Sequence, residues 1–208
     1  MLKFKIFNSF NSECEALWKK ASKTSMYNFF QSYDYLKQLT YVENADIVKI
    51  VFIFYENEVV AIYPLTIKKY FCFKVLQWLG TGKSDYCNPI ISDNFYEILN
   101  KNKFLHLWEL IIKDLGKFDL IFFNNQPGKI QQLDNPFTEF FNTINFSNIY
   151  QIRLPSSYEH YKKNIKDKNK KYFYEIHRTS LKLVKLEKEF NIKFIVKDID
   201  EKNLEFKN

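Results

Sequence analysis

The chain has 208 residues, 46% hydrophobic and 19% aromatic, with 22 Phe and 14 Tyr, which is ample for a packed core and excludes a disordered chain. Its net charge of +7 admits an anionic partner such as nucleic acid, phosphate or a lipid surface, although AT-rich coding, which favours Lys, Asn, Ile, Phe and Tyr, explains much of that charge. Three cysteines without paired spacing (Cys14, Cys72, Cys87) exclude a disulfide frame and a zinc site, and four glycines with five prolines are too few for a turn-dense sandwich or a glycine-rich dinucleotide fold.

Lys3 to Phe7 alternates like a strand, and Ser9 and Ser12 are candidate caps for a helix through Trp18. A second short helix is expected over Gln31 to Leu39. Ile47 to Tyr55 and Val59 to Lys68 read as two strands joined by a tight turn at Glu56-Asn57-Glu58. Phe71 to Trp78 is a third strand and Pro89 to Ser92 starts a fourth. Phe95 to Leu115 carries apolar residues at helical spacing, with Gly116 placed as its C-cap. Asp119 to Asn124 reads as a buried strand, Asn124 to Asn135 as a loop, Asn135 to Asn142 as a short helix and Tyr150 to Leu154 as a closing strand.

After Pro155 the character changes. Ser156 and Glu159 match a capping box. From Tyr161 to Lys188 the chain is basic and helical, with a break near Asp167-Lys168-Asn169. Ile192 to Val196 reads as one more strand with no following partner, a liability unless it joins an edge. The N-terminus is short and broken by lysines, so it lacks a signal peptide's apolar centre. No run approaches the roughly 18 apolar residues of a membrane span. A reducing cytoplasm is the expected location.

Gly80 to Ser84 reads G-T-G-K-S, which invites comparison with a phosphate-binding loop. Such a loop needs G-x-x-x-x-G-K-[ST] before a helix, so that successive backbone N–H groups wrap a phosphate. Gln77 stands where the first glycine should be, and Asn88-Pro89 leads into a β-branched run instead of a helix.

The order of elements and the residues at their joints carry a resemblance. The pieces are F-F-Q-S-Y-D-Y-L-K-Q-L (Phe29 to Leu39), A-I-Y-P-L (Ala61 to Leu65), L-Q-W-L-G-T-G-K-S-D-Y-C-N-P-I (Leu76 to Ile90) and D-L-I-F-F (Asp119 to Phe123). L-P-S-S-Y-E-H-Y (Leu154 to Tyr161) and K-D-K-N-K-K-Y-F-Y-E-I-H-R (Lys166 to Arg178) complete them. Together they resemble the N-terminal half of the CelD-like GNAT-superfamily acetyltransferases of cellulose and polysaccharide biosynthesis, distantly similar to the FemAB aminoacyltransferases.

The resemblance implies a GNAT-like mixed α/β (α+β) sheet flanked by helices over 1–155. A basic helical connector over 156–190 and the start of a truncated second half over 191–208 follow. In that family the second half grips acyl-CoA with an R/Q-x-x-G-x-G/A turn at a helix N-terminus, where unpaired N–H groups bind the pyrophosphate. Gly80, Gly82, Gly116 and Gly128 are read as standing outside that pattern, so no cofactor is expected in this chain. Acyl-CoA would be the co-substrate of a complete member, and a separate C-terminal half is the implied partner.

Ser84, Asp85 and Tyr86 are the candidate substrate-binding residues. If they line a cleft, Asp85 could accept a hydrogen bond from an amine or hydroxyl, and Tyr86 could stack or donate. The competing reading has Asp85 satisfying the amides of the Gly80 to Ser84 turn. His106 is read as a helix-surface imidazole, and His160 and His177 have no metal-ligand spacing. Cys87 is read as a small buried thiol, and Trp18, Trp78 and Trp108 as core. The Lys162 to Lys188 run fits a solvated face, a rim attracting acyl-CoA phosphates or an anionic acceptor, or a nucleic-acid site, the last not the expected one.

The expected function is the acceptor-side or structural half of an acyltransferase moving an acyl group from CoA to an amine or hydroxyl of a sugar or cell-envelope precursor, inactive by itself. A non-catalytic binding module on the same fold and a nucleotide-binding protein using Gly80 to Ser84 are the alternatives.

Overall fold

The computed structural model describes residues 1–43, 47–144 and 155–190. In chain order the first elements are β1 (Leu2–Phe7), α1 (Ser12–Ala21), β2 (Ser25–Met26), a 3-10 turn over Phe29–Gln31 and α2 (Tyr33–Glu43). The central strands β3 (Ile47–Tyr55), β4 (Glu58–Tyr70), β5 (Phe73–Trp78) and β6 (Ile90–Ser92) follow. Next come α3 (Phe95–Ile98), α4 (Lys101–Leu115), β7 (Leu120–Ile121), the ribbon β8 (Lys129–Ile130) and β9 (Leu133–Asp134), and α5 (Pro136–Glu139). The helices α6 (Tyr158–Lys168) and α7 (Lys170–Phe190) close the described chain. Two compact units result, Met1–Ile149 and Tyr150–Asn208. The strands expected at 150–154 and 192–196, and the second half expected over 191–208, lie outside the described residues.

The first unit is α+β, a mixed seven-stranded sheet ordered β1-β3-β4-β5-β7, with β6 beside β4 and β2 beside β6. β3 and β4 form the hairpin at its centre. Glu56 and Asn57 turn it with both φ angles positive (50° and 69°), as a two-residue hairpin turn with the right twist demands.

The thirteen residues of β4 serve two neighbours in succession. Leu65 to Tyr70 pair with β5, and Ala61 and Ile62 pair with β6. Both neighbours run antiparallel to β4, so residues 79–89 are a detour that leaves β4 and returns to it. Pro64 sits where the detour begins, and its carbonyl accepts from the Leu79 amide at 2.9 Å. The N–H and C=O of one strand residue point the same way, so the donor that proline lacks would have faced the detour and not β3. The outer row forks at the same place, because β5 carries β7 in parallel while β6 carries β2.

Each face of the sheet has its own core. Val51, Ile53, Tyr63, Leu65 and Trp78 pack with Phe104, Trp108 and Ile111 of α4 and Phe137 of α5. Ile50, Phe52 and Ile62 pack on the other face with Cys14 and Trp18 of α1 and Tyr33 and Leu36 of α2. Burial on both faces explains why I-V-F-I-F-Y does not alternate.

Several local expectations shift. Asn11, not Ser9 or Ser12, caps α1, its Oδ1 accepting from the Cys14 amide at 2.8 Å. The helix expected over 95–115 is two, because Asn100 caps α4 by accepting from the Lys103 amide at 3.0 Å. The strand after Gly116 shortens to β7 at the sheet edge, where Leu120 is exposed and not buried. The loop over 124–135 contains the β8–β9 ribbon. Ser157, not Ser156, caps α6.

The helix-side core also sets a response to alkali. Burial pushes the Cys14 thiol from its ordinary 9.0 up to about 12, and burial followed by the neighbouring Glu15 pushes the Tyr33 phenol to about 12. Both groups ionise in the unfolded chain at lower pH than in the folded one, so the folded state holds more protons between those limits. Stability is therefore unaffected near neutrality and falls as pH rises from about 9 towards 12, by at most about 1.4 kcal/mol per pH unit per group. The urea midpoint is expected to fall steadily between those pH values, less so in Cys14→Ala; a midpoint flat across that range would remove this account.

Candidate functional site

The detour 79–89 is built as a closed turn followed by an anchored arm. Gly80 takes φ of +97°, and its carbonyl accepts from both the Lys83 and Ser84 amides at 2.9 Å. A Cβ on Gly80 would lie 2.5 Å from Ser84 Oγ, so the serine fills the space that the missing side chain leaves. The Lys83 and Ser84 amides are thus served by the turn's own backbone, and the Thr81 amide by the Trp78 carbonyl at 3.2 Å. Asp85 is exposed and makes no hydrogen bond or ion pair with a described residue, so the reading in which it satisfies those amides is set aside.

The arm is held from two sides. Gln31 Nε2 donates to the Tyr86 carbonyl at 2.8 Å, Asn28 Nδ2 donates to Asn88 Oδ1 at 2.9 Å, and the Tyr35 hydroxyl lies 3.2 Å from Ser84 Oγ. From the other side Asn125 Nδ2 donates to the Ser84 carbonyl at 3.1 Å, and its own carbonyl accepts from the Cys87 amide at 2.9 Å. Two segments far apart in sequence, 28–35 and Asn125, therefore fix one loop. Of the expected site residues, Ser84 is buried among these partners, Tyr86 is half-buried and Asp85 faces solvent.

Aromatic rings surround the arm. Tyr86 lies 6.1 Å from Phe30, and Phe29, Phe30 and Tyr35 are mutually within 5.2 to 5.8 Å by ring centroid. Phe29 is 68% exposed. A solvent-facing carboxylate can accept hydrogen bonds from hydroxyl or ammonium groups, and an exposed ring face such as that of Phe29 can cover an apolar one.

Thr81 of the detour also borders an open depression of about 350 Å³ lined by residues of β4, β5 and β7 and the segment after β7. Tyr70, Val75, Gln77, Thr81, Phe122 and Asn124 are among its lining residues. The strands β5 and β7 pair at Val75 with Leu120 and Leu76 with Ile121, flanked by the Asp119 amide on the Lys74 carbonyl at 2.8 Å and the Phe122 amide on the Leu76 carbonyl at 2.9 Å. Thr81 Oγ1 and Asn124 Oδ1 are buried without a partner among the described residues. Gln77 Oε1 is already taken, accepting from the Tyr70 hydroxyl at 3.1 Å.

Here one expectation needs correction. Gln77, Gly80 and Gly82 stand at the spacing Q-x-x-G-x-G, so Gly80 and Gly82 fall inside the donor pattern and not outside it. The context that would make the pattern an anion grip is missing, however. The next helix of two or more turns, α4, begins only at Lys101, so no long helix follows the turn directly. The same absence weighs against the nucleotide reading of Gly80 to Ser84.

No protein-family model matches the chain, and no curated protein matches it. Among solved structures, a GNAT family acetyltransferase from Staphylococcus aureus subsp. aureus USA300_TCH1516 is similar over 74% of this chain and 98% of that one, at 13% identity and a TM-score of 0.41. That superposition is too loose to transfer a residue role.

Other candidate chemistry is sparse. His106, His160 and His177 are all exposed on helices, away from the detour in sequence. Among the described residues no cluster of His, Cys, Asp or Glu could hold a metal ion, and no helix is long and apolar enough to cross a membrane. Gln31, Tyr35 and Asn125 were not anticipated as parts of the site. No periodicity marks them, although Gln31 and Tyr35 fall inside the F-F-Q-S-Y-D-Y segment that carries the resemblance.

Proposed function

We propose that the chain is the acceptor-side, structural half of a GNAT-like, CelD-like N- or O-acyltransferase whose other half holds acyl-CoA, with a sugar or cell-envelope precursor as acceptor. Acyl transfer joins an acceptor nitrogen or oxygen to the acyl carbon and breaks the bond to the CoA sulfur, so both substrates must be held together. The observation that supports the acceptor side is the loop Ser84 to Tyr86. Two distant segments, 28–35 and Asn125, anchor it, and it presents Asp85 to solvent next to Tyr86, whose ring lies 6.1 Å from Phe30. The donor grip is the part this chain lacks in this reading, because the turn at Gly80 uses its own carbonyl to occupy the Lys83 and Ser84 amides.

A second reading has a specific observation in its favour. The Q-x-x-G-x-G spacing borders the β5/β7 depression with its unpartnered Thr81 and Asn124 oxygens, which suits a chain that holds the donor itself.

Two titrations decide between them. On the first reading acetyl-CoA leaves the melting temperature of the chain unchanged, and an amino sugar such as glucosamine binds, with Asp85→Asn weakening it about tenfold through loss of one charge-assisted hydrogen bond. Amino-sugar binding untouched by Asp85→Asn would sink the acceptor surface. Saturable stabilisation by acetyl-CoA would transfer the assignment to the second reading.

A further inference from the structure

Of the described side chains in residues 155–190, none is buried. Yet α7 is rich in large apolar residues, and Tyr172, Tyr174, Ile176, Leu181, Leu183, Val184, Leu186 and Phe190 are all exposed. At about 100° per residue, Tyr172, Phe173, Ile176, Leu181, Leu183, Val184 and Phe190 fall within roughly half of the helix circumference, a half that by position also takes Lys170, Glu187 and Lys188, while Tyr174 and Leu186 fall on the other. Lys171, Arg178, Lys182 and Lys185 share the opposite arc with Glu175 and Glu189. Across Tyr158–Phe190 ten Lys and Arg stand against five Asp and Glu, so this segment carries most of the chain's net charge of +7.

The helix pair is locally well specified. Ser157 caps α6, the Asn169 amide donates to the Ile165 carbonyl at 2.8 Å, and Asn169 Oδ1 accepts from the Tyr172 amide at 3.1 Å to start α7. The apolar arc is therefore a feature of formed helices. Exposed apolar surface on this scale marks a contact site.

Charge and apolarity together select the partner. A nucleic acid would use the lysines and the aromatic rings but gains nothing from Leu181, Leu183 and Val184. A protein groove would use the aliphatic residues but draws on the excess positive charge only if it is itself acidic. An anionic bilayer surface uses both at once, taking the apolar arc at the headgroup–acyl boundary while lysines meet lipid phosphates. We propose that α6 and α7 form a peripheral docking element for an anionic lipid surface, with α7 lying in the interface plane. The proposal stands apart from the acceptor-half reading, since it uses no residue of the first unit.

The test is co-sedimentation of the full chain with vesicles of phosphatidylcholine alone or mixed with phosphatidylglycerol. Binding is expected only to the mixed vesicles, weakened by added salt and reduced about thirtyfold by Lys182→Gln with Lys185→Gln, at the strength usual for two basic residues near such a surface. Leu181→Ser with Val184→Ser should abolish it, with far-UV circular dichroism confirming that the helices persist. Because the serine pair could melt α7, a Tyr172→Trp reporter gives an independent reading: its emission should shift to the blue on mixed vesicles alone. Equal binding to both vesicle types, binding to neither, or an unshifted reporter overturns the proposal. Retention on heparin or RNA that survives the serine pair, without vesicle binding, assigns the patch to nucleic acid instead and equally overturns it.

Discussion

Phe137→Ala is expected to destabilise the first unit by roughly 4 kcal/mol, the usual range for emptying a buried phenylalanine site. The residue is 2% exposed, although it belongs to a helix of only four residues, α5. Its ring meets Tyr63 and Trp78 of the sheet at 5.1 Å, Trp108 and Phe104 of α4 at 5.1 and 5.3 Å, and Phe123 after β7 at 5.4 Å, all close to edge-to-face. Edge-to-face pairs add about 0.5–1.5 kcal/mol each beyond area burial, but contacts sharing one ring do not add independently. The single turn stays in place because Asn135, fully buried, accepts from the Phe137 amide at 3.1 Å and donates to the Pro127 carbonyl at 3.0 Å. For a chain of this size the loss corresponds to a melting temperature lower by about 8–16 °C. Differential scanning calorimetry reads it directly. Phe137→Leu should cost less than half as much, since most of the volume is kept. A loss below about 1 kcal/mol in the alanine variant would mean that α5 is a surface turn and that the aromatic core closes without it.

The hairpin of β3 and β4 was legible because both strands are apolar on each face and Glu56-Asn57 interrupts them with polar turn residues. Helix α4 was equally plain from its 3.6-residue period, and the mixed α+β class followed from the order of such segments. The Gly116 C-cap, at φ +103°, could be read from composition alone. What stayed hidden is the fork in the sheet. That β5 and β6 share one edge of β4 is a long-range fact, and no local pattern announces that Pro64 faces a departing neighbour. Phe122 shows a second limit: within L-I-F-F it looks like core, yet it is 50% exposed, because an apolar run does not state how many neighbours its strand will have. The loop was found for its residue types, whereas its anchors Gln31 and Asn125 lie 55 residues before Tyr86 and 41 residues after Ser84. Polar residues that act across such separations leave no spacing to read.

Gly80→Ala should cost about 2–3 kcal/mol and should loosen the site as well as the fold. About 1–2 kcal/mol of this comes from forcing an L-residue into a left-handed conformation, since Gly80 has φ of +97°. The remainder comes from Ser84, whose Oγ lies 2.5 Å from where the new methyl would sit and must give way. Moving it breaks the 3.2 Å contact with the Tyr35 hydroxyl and strains the Asn125 bond to the Ser84 carbonyl, at about 0.5–1.5 kcal/mol for each bond lost. Gly82→Ala supplies the control. Its φ is also left-handed at +84°, but a Cβ there meets nothing within 4 Å, so only the backbone cost remains. Adding Ser84→Ala to Gly80→Ala removes the oxygen and leaves an ordinary contact at 3.4 Å with the Cβ, so the double variant should recover about 1 kcal/mol of coupling. Urea midpoints of the parent, Gly80→Ala, Ser84→Ala and the double variant measure the cycle, with Gly82→Ala beside them. Equal losses in Gly80→Ala and Gly82→Ala, with no recovery on adding Ser84→Ala, would show that Ser84 does not pack on Gly80. Asp85 would then be held only by the Gln31, Asn28 and Asn125 bonds to the arm, without support from the Gly80 turn.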